Sequence, residues 1–506
     1  MLKNPKVVLI YPKFLIQEGP SFNIPLSVLH LGSYIEKQGY EVVILDGNVD
    51  RKYFDLFKKT TKDALAVGIS AMTDQISEAR RIALFLKKDL GIKAPLVFGG
   101  VHATLFPEQT TFDPLVDFTV IGEGELSFLD LLKYLQKKKK LEEISGVGSK
   151  INNKFLYNPR FIRFDFKDMP LINYRLLNPR LLKEFPDYYI AMITSRGCPH
   201  RCAFCINTVI KENTRWRAWQ SERVIKEISN IVENFHVNKI FFWDENFFVN
   251  KKRVEEILTG LEKENLKIKW FANARTDYFK SDFLNLSFLK RLKANGCEKF
   301  GIGAESGSQH MLDIYNKGTT PLDMINSASL CHQVKIIPTY SFMIGAPGET
   351  KKDMEKTIQI IGKIYTACPK ARILGPQLFR PYPGSELYQK CLEAGWSEPK
   401  TLLEWEEVVE KEFMETSPFK SPWMKHPKLI NIIWFYSSLL VLSPVMLIRL
   451  FIEYTKIYKK SFIYQVFGLG GVLGMSALGK IRYKLHFYDY PFEVNLFKKF
   501  RSILSS

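Results

Sequence analysis

A chain of 506 residues, 46% hydrophobic and 25% charged, is too long for one ordinary domain and too apolar to be disordered; two to four domains fit. Its formal net charge is +19, and residues 418–506 alone hold 13 Lys and Arg against 3 Asp and Glu. A basic excess on an aromatic, apolar segment points to a membrane surface or an anionic amphiphile rather than to nucleic acid, the bland alternative being a solvated basic face. Seven cysteines, an odd number in a long chain, do not form a disulfide framework. The first apolar run, 7–11, is short and is followed by Pro12 and Lys13, so no cleavable signal is read and a reducing cytoplasm is expected.

Residues 1–140 alternate short β-branched runs at 6–11, 41–45, 64–70, 95–98 and 118–121 with amphipathic stretches at 26–38, 77–90 and 126–137. Fully apolar strands separated by helices predict a parallel sheet covered on both faces. Turn residues fall at the carboxyl ends of those strands, where such sheets bind ligands: Asp46-Gly47, Ser70, Gly99-Gly100 and Gly122-Glu123-Gly124-Glu125. Residues 141–185, after the lysine run 137–140, read as a linker with a little strand structure.

Residues 186–395 repeat strand and helix six times, with strands predicted at 189–194, 239–243, 269–273, 299–303, 337–343 and 377–380. That is the pattern of a partial α/β barrel with six strands, whose sites are built from the loops after the strands. Residues 396–506 read as a basic, apolar helical domain. Its run 429–448 is 20 residues without a charge, interrupted by Asn431 and Pro444, and 462–478 is apolar and glycine-rich. The first run reaches the length of a membrane span, with Trp434, Tyr436 and Lys456, Lys459 and Lys460 suited to an interface. Two other readings stay open: helices lying in a membrane surface, and a helical pair covering the active site.

The strongest chemical signal is Cys198-Pro-His-Arg-Cys202-Ala-Phe-Cys205, on a loop directly after an apolar strand. Three thiolates at C-x3-C-x2-C suit three irons of an iron–sulfur cubane and leave the fourth open. A structural zinc site would need a fourth ligand from afar; His200 is near but poorly placed inside the loop. Cys297, Cys331, Cys368 and Cys391 have no close spacing and read as small core residues.

With an aromatic before its last cysteine, this motif resembles that of the radical SAM superfamily, and the similarity runs through residues 186–395. The resemblance implies a 4Fe-4S cluster on Cys198, Cys202 and Cys205, with S-adenosylmethionine chelating the open iron. Asp244-Glu245-Asn246 stands where the family has Gly-Gly-Glu for the methionine amine, which assigns that role to Glu245 in a departed form of the motif. Glu305 and Ser306, in Gly303-Ala-Glu-Ser-Gly-Ser308, resemble the fourth-strand pair facing the ribose and methionyl part. Gly345, in Gly345-Ala-Pro-Gly348-Glu349-Thr350, resembles the adenine segment, and Pro381-Tyr-Pro-Gly384-Ser ends the sixth strand as in one large branch.

Residues 1–140 are then similar to the Rossmann-like (flavodoxin-like) cobalamin-binding domain joined to that branch. The resemblance implies cobalamin contacts from Asp46, Ser70, Gly99, Gly100, His102, Gly122, Glu123 and Gly124. The usual Asp-x-His-x-x-Gly motif is missing, since Gly47, Asn48, Val49 and Asp50 follow Asp46, so cobalamin is expected base-off with no histidine on cobalt. His102 has a second reading, as a residue that merely satisfies its loop, and the whole domain has one as a degenerate fold that binds nothing.

The implied chemistry is reductive cleavage of S-adenosylmethionine to a 5′-deoxyadenosyl radical, fed by an electron donor such as ferredoxin or flavodoxin. The implied reaction functionalises an unactivated carbon, with C-methylation of a lipid, isoprenoid or tetrapyrrole preferred on the strength of the apolar, basic tail. Two rivals are a radical cyclase or C–C bond-forming enzyme without methyl transfer, and a non-catalytic, membrane-docked cobalamin-binding module. The expected setting is cytoplasmic, with the membrane approached through 420–506.

Overall fold

The computed structural model describes residues 4–14, 24–50, 52–159, 163–179, 189–210, 214–280, 283–410, 421–436, 444, 447–448, 452 and 462–485. The chain divides into two compact units. One comprises Met1–His200, Ile206–Trp270 and Ser397–Thr416; the other comprises Arg201–Cys205, Phe271–Trp396 and Ser417–Ser506.

The first unit begins with β1 (Lys6–Tyr11), α1 (Leu26–Lys37), β2 (Glu41–Asp46), α2 (Tyr53–Thr60), β3 (Ala64–Ser70), α3 (Ile76–Leu84) and β4 (Leu96–Gly99). Two short helices, α4 (Val101–Leu105) and α5 (Pro107–Phe112), precede β5 (Phe118–Val120) and α6 (Gly124–Leu135). The strands pair in parallel in the order β2-β1-β3-β4-β5. Val7, Val8 and Ile10 of β1 are wholly buried, as expected for a strand covered on both faces. This is the doubly wound order whose ligand crevice opens at the carboxyl ends of the strands flanking the β1/β3 switch point.

The segment expected as a linker holds two more strands of that sheet, β6 (Val147–Ile151) and β7 (Lys154–Tyr157), with β6 antiparallel to β5. They are joined through Asn152 and Asn153, both at positive φ (49° and 58°), the conformation a two-residue hairpin requires and asparagine tolerates.

The same unit continues through β8 (Ile190–Met192), β9 (Ser195–Arg196), β10 (Arg217–Ala218), α7 (Ser221–Phe235), β11 (Lys239–Phe242), α8 (Lys251–Lys263) and the first residues of β12 (Lys269–Ala274). β8 pairs in parallel with β11, and β9 antiparallel with β10.

In the second unit lie α9 (Leu286–Ala294), β13 (Cys297–Glu305), α10 (Gln309–Ile314), α11 (Pro321–Val334), β14 (Ile337–Ile344), α12 (Lys351–Ala367), β15 (Arg372–Leu378) and α13 (Glu386–Glu393). β13, β14 and β15 are parallel neighbours, with register breaks at Gly303/Glu305 and Ser341/Met343. β15 begins at Arg372, earlier than the predicted 377, because the strand passes through Gly375-Pro376, a pair that reads locally as a turn. Cys297, Cys331, Cys368 and Cys391 are all buried, as core residues should be.

A further helix, α14 (Leu402–Val408), belongs to the first unit, where Trp405 lies against His102 with ring centroids 5.5 Å apart. The second unit ends with α15 (Pro427–Tyr436) and α16 (Phe462–Lys484). α15 buries Leu429, Ile430, Ile432 and Ile433 and packs on β15 and α16. Residues 437–443, the middle of the long apolar run, lie outside the described residues. Among the described residues no helix is long and apolar enough to cross a membrane.

Candidate active site

The loop that leads into Cys198 is anchored from beneath. Asp244, just past β11, is fully buried and accepts hydrogen bonds from the Thr194 backbone N–H (2.6 Å), the Thr194 hydroxyl (2.6 Å) and the Ser195 hydroxyl (2.8 Å). Arg253 of α8 supplies the balancing charge, donating to the Thr194 carbonyl (3.1 Å), the Thr194 hydroxyl (2.7 Å) and the Trp219 carbonyl (2.9 Å). Burial raises the Asp244 carboxyl above its ordinary value, against the pull of Arg253 and these donors. The next residue but one, Asn246, points its amide nitrogen at the Cys198 sulfur, 3.8 Å away. Glu245, between them, is exposed while the protein crowded about it pushes its carboxyl up to about 7, the behaviour of a carboxylate lining a recess.

A second anchor comes from the doubly wound sheet. Arg196 of β9 meets Glu123 (3.3 Å) and Glu125 (2.7 Å), the residues flanking the first position of α6, and stacks over Phe166 at 4.8 Å. Arg217 of β10 also donates to Glu123, at 3.1 Å and through a second, shorter contact. The Gly122–Glu125 turn therefore grips the strand that runs into the cysteine loop.

In the second unit, Cys202 lies buried beside Arg275, whose Nη1 is 3.7 Å from its sulfur. Arg275 also donates to the Lys317 backbone carbonyl. The Lys317 ammonium in turn meets the Glu305 carboxylate at 2.8 Å and lies 5.7 Å from the centre of the Phe204 ring. Glu305 ends β13 at positive φ (65°), a strained conformation for a non-glycine residue. Gly303 makes room for that turn: a Cβ there would come within 2.3 Å of the Glu305 carboxylate. Ser306, fully buried, shares its hydroxyl with Thr357 of α12 at 3.1 Å, and Ser308 donates to Asp353.

Gly345, after β14, adopts φ 85°. Its N–H donates to the buried Glu349 carboxylate, and its carbonyl accepts from the Trp423 indole at 2.9 Å. Burial pushes the Glu349 carboxyl up to about 8, the Gly345 hydrogen bond opposing. Phe379, Ala346, Trp423 and Met311 pack together around this segment, with Met343 and Met424 at the edge.

The strand ends of the doubly wound sheet gather Asp46, Ser70, Gly99 and Gly100. Asp46 is buried, with Oδ1 accepting from Asn48 N and Nδ2, each at 3.0 Å, and burial pushes its carboxyl up to about 6. Ser70 shares a hydroxyl contact of 3.1 Å with Ser27. Gly100 sits at φ 88°, and a Cβ there would meet the Ala71 carbonyl at 2.7 Å, so glycine lets this turn pack tightly against the end of β3. Gly122, also at positive φ, donates to the Thr104 hydroxyl at 3.0 Å, and Gly124 opens α6. His102 is fully buried, its Nδ1 3.2 Å from Thr73 and its ring against Phe106 and Trp405; burial pulls it down to about 3. Its side chain fills the loop after β4.

Residues 192–361 match the radical SAM superfamily, and residues 12–132 match the B12 binding domain. An uncharacterized methyltransferase of Pyrococcus horikoshii is 32% identical over 372 residues, which are 73% of this chain and 78% of the relative. The chain belongs to the B12-binding radical SAM enzymes. The anaerobic magnesium-protoporphyrin IX monomethyl ester cyclase of Rubrivivax gelatinosus is 26% identical over 397 residues, 72% of this chain and 66% of the cyclase. Among solved structures, the cobalamin-dependent S-adenosylmethionine radical enzyme OxsB, with aqua-cobalamin and S-adenosylmethionine bound, matches with a TM-score of 0.69 and 19% identity, over 99% of this chain and 75% of OxsB. The radical S-adenosylmethionine methyltransferase TsrM of Kitasatospora setae, with cobalamin and a 4Fe-4S cluster bound, gives 0.64 and 16%, over 78% and 76%. At such identities these two establish the fold: a Rossmann-like B12 sheet and a parallel radical SAM sheet.

The cofactors of this radical SAM enzyme are a 4Fe-4S cluster, S-adenosylmethionine and cobalamin, and its residues suit them. None of the three loop cysteines is in a disulfide, and nitrogen donors face two of the sulfurs, as thiolate ligands require. Among the described residues no three His, Cys, Asp or Glu side chains converge on one ion. Asp46, Ser70, Gly99 and Gly100 stand at or just past the carboxyl ends of β2, β3 and β4, where a doubly wound sheet takes its ligand. Sequence reasoning singled out the thiolates and the glycine turns and passed over Asp244, Asn246, Arg253, Arg275 and Lys317, which the structure sets against the cysteine loop or Glu305. Of these, Asp244 and Asn246 adjoin the residue it chose, and Asn273-Ala-Arg275 at a predicted strand end was a readable signal.

Proposed function

We propose that this enzyme transfers a methyl group to an unactivated carbon of a hydrophobic molecule, of the lipid, isoprenoid or tetrapyrrole kind. The observation that carries the reading is the union of a B12 binding domain and a radical SAM domain in a chain whose relative in Pyrococcus horikoshii is named a methyltransferase. Related chains named as methyltransferases act on cytidylyl-2-hydroxyethylphosphonate in Streptomyces wedmorensis and on bacteriochlorophyllide d in Chlorobaculum tepidum. When bound, the cofactors supply the radical and the methyl group; the protein supplies position and dryness.

In this reading Cys198, Cys202 and Cys205 hold the cluster, and Asp244 with Arg253 fixes the loop that carries the first of them. Glu245, Glu305, Ser306 and Gly345 serve the S-adenosylmethionine side, with Lys317 keeping the Glu305 carboxylate in place. Asp46, Ser70, Gly99, Gly100, His102, Gly122, Glu123 and Gly124 form the cobalamin face, His102 as filler of its loop and Glu123 as a tie to Arg196 and Arg217. The domains follow as 1–140 for cobalamin, 141–185 connecting, 186–395 for radical chemistry and 396–506 covering a hydrophobic substrate. A radical SAM enzyme needs a reductant; a ferredoxin or flavodoxin fits, and the basic residues of 420–506 suit an anionic membrane surface.

A second reading, ring or C–C bond formation without methyl transfer, is favoured by the identity to the magnesium-protoporphyrin ester cyclase. Anaerobically reconstituted enzyme, incubated with S-adenosylmethionine, a reductant and lipid extract, separates the two. Methyl transfer releases S-adenosylhomocysteine together with 5′-deoxyadenosine, whereas the cyclase reading gives no S-adenosylhomocysteine.

A further inference from the structure

Arg275 leaves β12 with its side chain buried to 8% exposure, and each arm of its guanidinium has a different task. Nε meets Asp277 Oδ1 at 3.0 Å, and Nη2 meets Asp277 Oδ2 at 3.3 Å as well as the Lys317 carbonyl. Nη1 is directed at the sulfur of Cys202, 3.7 Å away. The planar fork is thus clamped on one side by a carboxylate and a carbonyl, which holds the other side against a thiolate. Salt-bridge partners of a structural arginine do not explain that last contact.

We propose that Arg275 and Asp277 form a positioning pair that sets the reduction potential of the cluster bound through Cys202. A cation donating to a ligand sulfur withdraws electron density and favours the state holding one more electron. The attraction is large here because the group is shielded from water. Asp277 cancels part of that charge. Reduction adds one electron from an external one-electron donor, dithionite in the test below, and it breaks no bond and moves no proton. The pair therefore has opposite signs: loss of the Arg275 charge lowers the potential, and loss of the Asp277 charge raises it. The inference rests on cluster binding by this family and not on which substrate is altered.

The test is an EPR-monitored redox titration of the full-length, cluster-reconstituted protein, without turnover, for wild type, Arg275→Gln, Arg275→Lys and Asp277→Asn. The expected result is a negative shift for Arg275→Gln, a positive shift for Asp277→Asn, and recovery towards wild type for Arg275→Lys. Shifts of the same sign in the two neutralising variants, or no shift in either, overturn the proposal. Should Arg275→Gln fail to assemble its cluster, Asp277→Asn decides alone: a positive shift upholds the proposal, and any other result overturns it.

Discussion

The Asp244 carboxylate receives two hydrogen bonds of 2.6 Å from Thr194, one from its backbone N–H and one from its hydroxyl. Three residues separate Thr194 from Cys198, so a buried charge fixes where the cysteine loop leaves the sheet. Arg253 is the matching cation, linked to Asp244 through the Thr194 hydroxyl, which accepts from the guanidinium and donates to the carboxylate.

Asp244→Asn should therefore cost more than a hydrogen bond. It leaves the buried Arg253 guanidinium, linked to this side chain through the Thr194 hydroxyl, without its balancing charge, and an uncompensated buried cation costs roughly 3–5 kcal/mol. The expected outcome is a lower melting temperature of the apoprotein and reduced iron after reconstitution, both checked against Asn246→Ala, which loses the contact to Cys198 without unpairing a buried charge.

Glu349 gives the protein a pH signature. Its folded-state carboxyl sits at about 8 because it is buried, above the ordinary value, so the folded state holds a proton that the unfolded chain has released. That contribution is fully present below the unfolded value and is lost as pH rises towards about 8. Thermal stability should fall across that window and the Glu349→Gln protein should show a flatter profile; an unchanged slope in the variant counts against the assignment.

Gly100→Ala tests the tight turn at the end of β4. A side chain at φ 88°, with its Cβ 2.7 Å from the Ala71 carbonyl and 2.8 Å from the Ala71 nitrogen, carries a strain of about 1–3 kcal/mol. Cobalamin retained after gel filtration should drop well below wild type.

His102→Gln asks whether the imidazole reaches cobalt. Its ring is enclosed by Phe106 and Trp405, with Nδ1 near Thr73. The EPR spectrum of bound cob(II)alamin should show no nitrogen coupling from a protein histidine, and it should be the same in the variant. A spectrum that changes with the substitution would make His102 a ligand.

Much of this was readable in the chain. The strands of the doubly wound sheet announced themselves as apolar runs, since both of their faces are covered, and the thiolate spacing lies within eight consecutive residues, 198–205. What escaped was non-local. Arg275 and Cys202 are 73 positions apart, and Arg253 reaches Thr194 across 59, distances over which no periodicity speaks. The β6–β7 hairpin lies in the segment read as a linker with a little strand structure; its strands are short and half polar, and only Asn152-Asn153 marks the turn. The start of β15 was hidden by Gly375-Pro376, whose local preference for a turn is overridden by pairing with β14.

The proposed methyl transfer depends on one polypeptide holding both cofactors. Anaerobic purification followed by iron, sulfide and cobalamin analysis on the same sample tests this most directly. The account predicts about four irons with matching sulfide and one cobalamin per chain, with the iron and its visible absorption absent from Cys202→Ala while cobalamin stays. A preparation that binds a single metal ion without sulfide, or never takes up cobalamin, would contradict it.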